Sequence, residues 1–181
     1  MKGLILLVNG FEESEAIITI DLLRRANIEV DLVSLTNSIN VTSSGNITVV
    51  CDKLYGVTSL EDYNFLVIPG GKAVFNYHLE SNTTKEIVDY FMNKHMLVAA
   101  ICAAPMILGK YGYLKDKHFT CFPGCEENHF GGIYEAEYGA VLDDNIVTGK
   151  ACGTTFDFVQ TIIEYLLSEK EAEEVINKVY Y

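Results

Sequence analysis

Cys102 stands in the run AAICAAP, residues 99–105. An apolar stretch from Leu97 to Ile101 leads into it, and Pro105 behind it suits the first turn of a helix. A thiol at the start of a helix faces unpaired backbone N–H groups and the positive end of the helix dipole, and both favour thiolate. A cysteine that only fills space has no need of such a place; a nucleophile or a redox-active group does. A tight strand-to-helix elbow also exposes its side chain and aims adjacent N–H groups at an oxyanion. Ala103 offers one such N–H. Gly71, in the turn Pro69-Gly70-Gly71, offers a second, because backbone without a Cβ can approach closely. Three carboxylates, Glu12, Glu13 and Glu15, follow the first apolar run. Glu15 adjoins Ala16 on the inward stripe of the helix that begins there, so it is expected to reach the sulfur while Glu12 and Glu13 face solvent. A buried carboxyl beside a thiolate is pushed toward its protonated form, from which it can donate to sulfur and carry a proton.

These groups lie far apart in the chain, so the elements between them must bring them together. Leu4–Val8, Val30–Leu35, Phe65–Ile68 and Leu97–Ile101 read as strands buried on both faces. Helical patterns separate them. Ala16, Ile17, Ile20, Leu23 and Ala26 form one stripe, and Ser81–Lys94 opens on a Ser81 or Thr83 cap. Pro105–Lys110 closes at Gly112. Thr154–Leu167 and a last helix follow, the latter opened by Ser168 with Glu171 and lined by Ala172, Val175, Ile176 and Val179. Residues 118–122 and 145–149 are short strand candidates. In Thr36–Ser59 the alternation of Ile47, Val49 and Cys51 suggests a small β-hairpin insert. The pattern predicts an α/β three-layer sandwich with a mainly parallel sheet, as one domain over residues 1–181. Ligands of such sheets sit beyond the carboxyl ends of the strands. The loops NGFEESE, PGGKA and CAAP all leave such ends, so they are expected to converge.

Composition narrows the chemistry. With 181 residues, 49% hydrophobic and 21% charged, the chain suits one domain with a sizeable core. A formal net charge of −12 disfavours nucleic acid and anionic membrane surfaces as partners. No apolar run approaches the roughly 20 residues of a spanning helix, and the first residues are too short a run for a signal peptide. Five cysteines, an odd number, fit a cytoplasmic protein with reduced thiols. Cys121, Cys125 and His129 have the spacing C-x3-C-x3-H, which raises a zinc reading. Pro123 and Gly124 break that spacing and no fourth ligand adjoins, so no metal is expected. His78, His95 and His118 lie in polar stretches and read as surface residues.

Taken together, NGFEESEAI, RRANIEV, VIPGG, AAICAAP, TCFPG and GTTFDF resemble the ThiJ/PfpI superfamily along nearly the whole chain. The resemblance is to the branch that holds the Parkinson's-associated protein deglycase and bacterial YajL. It implies a flavodoxin-like fold and a homodimer. It also implies a nucleophile at Cys102, a protonated glutamate at Glu15 and an oxyanion site at the second glycine, Gly71. No cofactor is implied. The activities implied are deglycation of methylglyoxal adducts and glyoxalase-type conversion of glyoxals to hydroxy acids. Partners would then be small reactive carbonyls or glycated thiols and amines. Redox sensing and redox-regulated chaperoning through Cys102 oxidation form the alternative from another class.

The chain departs from the family pattern at four places. Ala103 replaces the histidine that follows the nucleophile in the protease and stress-chaperone branches, which disfavours a thiol hydrolase. Phe122 stands where the animal deglycase has a pocket histidine, and Gly45 replaces an anion-binding arginine. Arg24 and Arg25 match an arginine pair that faces the dimer partner, with Arg25 a candidate pocket contributor. Cys152, in KACGTT, replaces a proline of a loop that borders the pocket. Cys121 precedes the Phe122 position. Cys121 and Cys152 are therefore candidate neighbours of Cys102, and Cys152 is a candidate partner for a disulfide with it.

Overall fold

Leu4, Leu6, Ile5 and Leu7 are all fully buried, yet alternate residues enter different cores. Leu4 and Leu6 pack with one hydrophobic cluster, Ile5 and Leu7 with the other. A strand with side chains alternating across a sheet and apolar on both sides has to lie between two helical layers. The computed structural model describes residues 1–127 and 131–181. In chain order its elements are β1 (Lys2–Leu7), α1 (Glu13–Arg25), β2 (Glu29–Ser34), β3 (Asn40–Thr42), β4 (Thr48–Val50), β5 (Lys53–Leu54) and β6 (Phe65–Ile68). Next come α2 (Lys72–Asn76), α3 (Asn82–Asn93), β7 (Leu97–Ile101), α4 (Pro105–Lys110), β8 (His118–Phe119) and β9 (Ile133–Tyr134). The chain ends with β10 (Ala140–Asp143), β11 (Ile146–Gly149), α5 (Thr155–Leu166) and α6 (Glu169–Lys178).

Seven strands form the main sheet in the order β10-β11-β7-β6-β1-β2-β5. All neighbours run parallel except β10, which pairs antiparallel with β11. Helices α1, α5 and α6 cover one face through Ile20, Leu23, Phe158, Ile162 and Val175. Helices α3 and α4 cover the other through Ile87, Phe91, Ile107 and Leu108. This is the flavodoxin-like arrangement. The expected hairpin is present: β3 and β4 pair antiparallel, Val41 opposite Val49.

Local signals placed most element ends. Ser81 caps α3 by accepting the Thr84 N–H at 3.2 Å. Ser168 and Glu171 form their reciprocal pair at the start of α6, with Ser168 Oγ accepting the Glu171 N–H at 3.3 Å and donating to Glu171 Oε2 at 2.9 Å. Three expectations change. Ile17 does not join the buried stripe of α1; it is 45% exposed, and Thr19 and Leu22 are buried in that helix instead. The strand expected over 118–122 is only two residues long and pairs with β9 in a separate sheet. His78 is not a surface residue. It is buried, its Nδ1 lies 3.0 Å from Thr84 Oγ1, and desolvation pulls its pKa down to about 4.

Candidate active site

Strand β7 ends at Ile101, and the next residue must reverse the chain toward α4. Cys102 does so with φ at +65°, a left-handed conformation that costs a residue bearing a Cβ on the order of 1 kcal/mol. The surroundings fix it from both sides. Its N–H donates to the Gly149 carbonyl at 2.9 Å, and its own carbonyl accepts the Phe122 N–H at 2.8 Å. The strained turn holds the half-buried thiol at the carboxyl edge of the sheet.

Around the sulfur, the three expected loops meet. The N–H groups of Ala103 and Gly71 are directed at the thiol, where they pull its pKa down. Gly71 has φ at +91°, and an added Cβ would lie 2.5 Å from the Gly10 carbonyl oxygen and 2.6 Å from the Glu12 nitrogen. Only glycine fits there. Gly70 is equally constrained, since a Cβ would lie 2.7 Å from Cys102 Cβ and 2.8 Å from Glu15 Oε2. Phe11 and Gly71 form an isolated antiparallel bridge, and Glu12 N–H donates to the Gly70 carbonyl at 3.1 Å. The first and third loops are thereby tied backbone to backbone.

Glu15 sits in the first turn of α1 and is 1% exposed. Its Oε2 accepts the Gly70 N–H at 2.7 Å, while Oε1 is buried with no hydrogen-bond partner among the described residues. A buried carboxylate oxygen without a donor destabilises the charged form, and burial raises the Glu15 pKa to about 7. The carboxyl lies beside the Cys102 thiol. Burial first, then the charge of Glu15, pushes that thiol up. The two groups therefore titrate as a coupled pair. When the proton sits on Glu15, the acid's hydrogen bond and the two N–H groups favour thiolate on Cys102. Helix α4 is only six residues long and starts at a proline, so the thiolate relies on these specific donors more than on the helix dipole anticipated from AAICAAP.

Glu12 and Glu13 are half-buried and turn elsewhere. Glu12 Oε1 accepts the Ser14 hydroxyl at 2.9 Å, and Glu13 Oε2 accepts the Gly45 N–H at 3.0 Å. An added Cβ at Gly45 would lie 1.7 Å from Glu13 Oε1, so a larger side chain there requires Glu13 to move.

A cleft of about 390 Å³ opens over the thiol, lined by Gly71, Lys72, Phe75, Cys102, Ala103, Phe122, Pro123 and Cys125. Phe75 and Phe122 stand half exposed at 54% and 48%. Their rings make the cleft largely apolar, with Lys72 its one cation among the described residues. Phe122 therefore borders the site as expected. Cys121 is buried behind it, and its thiol is pushed up to about 12 by burial. Cys152 is exposed in the single turn Cys152–Thr154 and does not line this cleft. Arg25 lies ten residues beyond Glu15 on α1, about 15 Å along the axis. It pairs there with Asp21 at 2.7 Å and takes no part in the cleft. Cys125, which the sequence offers only within the zinc spacing, also borders the cleft. His129 lies outside the described residues, and among those described no cluster of three His, Cys, Asp or Glu side chains is placed to hold a metal.

The model of the DJ-1/PfpI family matches residues 1–165. The chain belongs to the DJ-1/PfpI family. The Parkinson disease protein 7 homolog of Danio rerio is 31% identical, over 96% of this chain and 94% of that protein. The crystal structure of Drosophila melanogaster DJ-1beta superposes with a TM-score of 0.92 at 29% identity, covering 99% of this chain and 97% of that one. Oxidized Toxoplasma gondii DJ-1 gives a TM-score of 0.91 at 28% identity, over 99% and 98% of the two chains. Elbow cysteine, glycine pair and buried glutamate thus lie in a fold shared with DJ-1 proteins from end to end. Among the described residues, no helix is long and apolar enough to cross a membrane.

Proposed function

We propose that this protein is a cofactor-independent, Cys102-dependent enzyme of the glyoxalase and deglycase type, acting on methylglyoxal or its early adducts. One observation carries the reading: a fully buried Glu15 carboxyl, its Oε1 unpartnered among the described residues, lies beside a thiol that two backbone N–H groups also reach. In the proposed reaction the Cys102 thiolate adds to the aldehyde carbon, and the oxyanion that forms rests on the N–H groups of Gly71 and Ala103 before taking the Glu15 proton. Glu15, now ionised, removes the hydrogen from that carbon and returns it to the adjacent carbonyl carbon, while the proton on the first oxygen passes to the second. The product is a thioester of a hydroxy acid, and water releases lactate and the free thiol. A pKa near 7 suits a group that must give and take a proton in one cycle. With Ala103 in place of a histidine, the described residues that line the cleft include no histidine to serve amide hydrolysis.

The test is lactate release from methylglyoxal by wild type and Cys102→Ser, with buffer and free-thiol controls. Release that depends on Cys102 supports the enzyme; equal release by both proteins overturns it. A redox sensor is the second reading, favoured by the same N–H groups, which would hold the oxygens of an oxidised sulfur. The homodimer expected from the resemblance has an apolar groove available to it, formed by Ile17, Ile18, Leu22, Phe156 and Val179. Sedimentation of the purified chain tests that pairing.

A further inference from the structure

Cys102 and Cys125 border the same cleft, and the turn that carries Cys125 is bonded to the backbone of Cys102. The Phe122 N–H donates to the Cys102 carbonyl at 2.8 Å, and the Cys125 N–H closes the turn on the Phe122 carbonyl at 2.9 Å. Between them, Gly124 has φ at +96°, and no atom of the described residues lies within 4 Å of where a Cβ would be. Cys121 is buried behind this turn and Cys152 is exposed outside the cleft. Of the four other thiols, Cys125 is the one that shares a cavity with Cys102.

We propose that Cys125 is a resolving thiol for Cys102, and that the pair reduces hydroperoxides through a Cys102–Cys125 disulfide. The proposal rests on Cys102 being the reactive thiol of the site. A hydroperoxide, ROOH, transfers its outer oxygen to the Cys102 thiolate: the O–O bond breaks, an S–O bond forms, and with one proton the products are a sulfenic acid and ROH. The sulfur of Cys125 then attacks Cys102 Sγ. An S–S bond forms as the S–O bond breaks, and the oxygen leaves as water with the proton of the Cys125 thiol. Two electrons pass from the two thiols to the peroxide. A small dithiol reductant returns both thiols and is itself oxidised to a disulfide.

The division of labour follows from the surroundings. Cys125 is buried, which limits the access of peroxide to its sulfur, while Cys102 is only partly buried at the cleft. The sulfenic acid formed on Cys102, which borders the same cleft, is the electrophile that the Cys125 sulfur meets. A disulfide needs Cα atoms within about 7 Å, so capture requires the Pro123-Gly124 turn to bring Cys125 within that range of Cys102. Capture at this stage prevents the second oxidation, to sulfinate, which is not readily reversed.

The experiment treats the intact protein with one equivalent of hydrogen peroxide, then blocks free thiols and maps peptides without reduction. Wild type is expected to lose two of its five thiols and to yield a Cys102–Cys125 peptide that dithiothreitol cleaves. Cys125→Ser and Cys125→Ala, each checked for native circular dichroism, are expected to lose one thiol and to give a dimedone adduct or sulfinate at Cys102. Cys102 sulfinate in wild type, or a disulfide from Cys102 to any other cysteine, overturns the role of Cys125 and leaves Cys102 reactive. No oxidation of Cys102 in any of the proteins overturns that reactivity and the resolving role together.

Discussion

The Gly70 N–H donates to Glu15 Oε2 at 2.7 Å, and this single bond turns the carboxyl of α1 toward the elbow at the end of β7. Both residues are fully buried, 55 positions apart in the chain. The bond stabilises the charged form of Glu15, yet burial outweighs it and the pKa still rises to about 7. Several consequences can be measured.

Glu15→Gln keeps the shape of the side chain and removes the titrating proton. Turnover of methylglyoxal is expected to fall by about 10²- to 10⁴-fold. The thiol should ionise more readily, because the neighbouring negative charge is gone. Ultraviolet titration of the thiolate together with lactate assays checks both. Unchanged kinetics would remove Glu15 from the mechanism.

The same substitution has a signed effect on stability. The folded pKa of Glu15 is raised, so between the unfolded value near 4.5 and about 7 the native state binds more protons than the unfolded one. Stability from this group is present below pH 4.5 and is lost as pH rises through 7, at a cost on the order of 3 kcal/mol. Glu15→Gln is therefore expected to be more stable than wild type at pH 8, with the gain shrinking toward pH 5. Urea unfolding at the two pH values checks it; a gain larger at pH 5 would contradict the shift.

His78 acts with the opposite sign. Its pKa is depressed to about 4, so the unfolded state takes up a proton first as pH falls below 6.5. Stability from keeping this histidine neutral is full above that value and drains away toward pH 4. In an NMR titration the His78 ring signals should stay put until below pH 5. A midpoint at 6 or higher would mean the ring is not buried as described.

Gly70→Ala pushes a methyl group against Cys102 Cβ and Glu15 Oε2 at once. The fold is expected to lose about 1–3 kcal/mol, as for other overpacked sites. The rate of Cys102 alkylation should change, because the thiol and its proton partner are separated. A variant with wild-type alkylation and turnover would show that the close approach at Gly70 has no role.

Dilute peroxide should oxidise Cys102 before the other cysteines. Cys51 and Cys121 are closed to solvent, whereas Cys102 opens onto the cleft. Cys152 is exposed but has no N–H pair described at its sulfur, which makes it the informative competitor. Peptide mass spectrometry over a peroxide titration gives the order. Oxidation of Cys152 or Cys51 ahead of Cys102 would contradict the account.

Much of this molecule was legible in its residues. Apolar runs of strand length fixed β6 and β7 to the residue, because a strand buried on both faces has no other composition available. Ser81 and the Ser168–Glu171 pair marked helix starts through hydrogen bonds that are local in the chain. Cys102, Glu15 and Gly71 could be named because an elbow thiol, a first-turn carboxyl and a glycine pair each announce themselves within a few residues.

What the chain could not announce were relationships between distant segments. Edge strand β10 and the short β5 lack the apolar signature and exist because a neighbouring strand leaves N–H and carbonyl groups to pair. His78 sits in a polar stretch but folds inward onto Thr84, and burial in the fold, not its neighbours in sequence, sets its protonation. Cys152 looked placed for the cleft by loop order, whereas Cys125 occupies it, because the turn after Phe122 is bonded to Cys102 while the Cys152 turn leads outward into α5. Sequence names the groups able to react; the tertiary structure decides which of them share a cavity, a proton and a low dielectric.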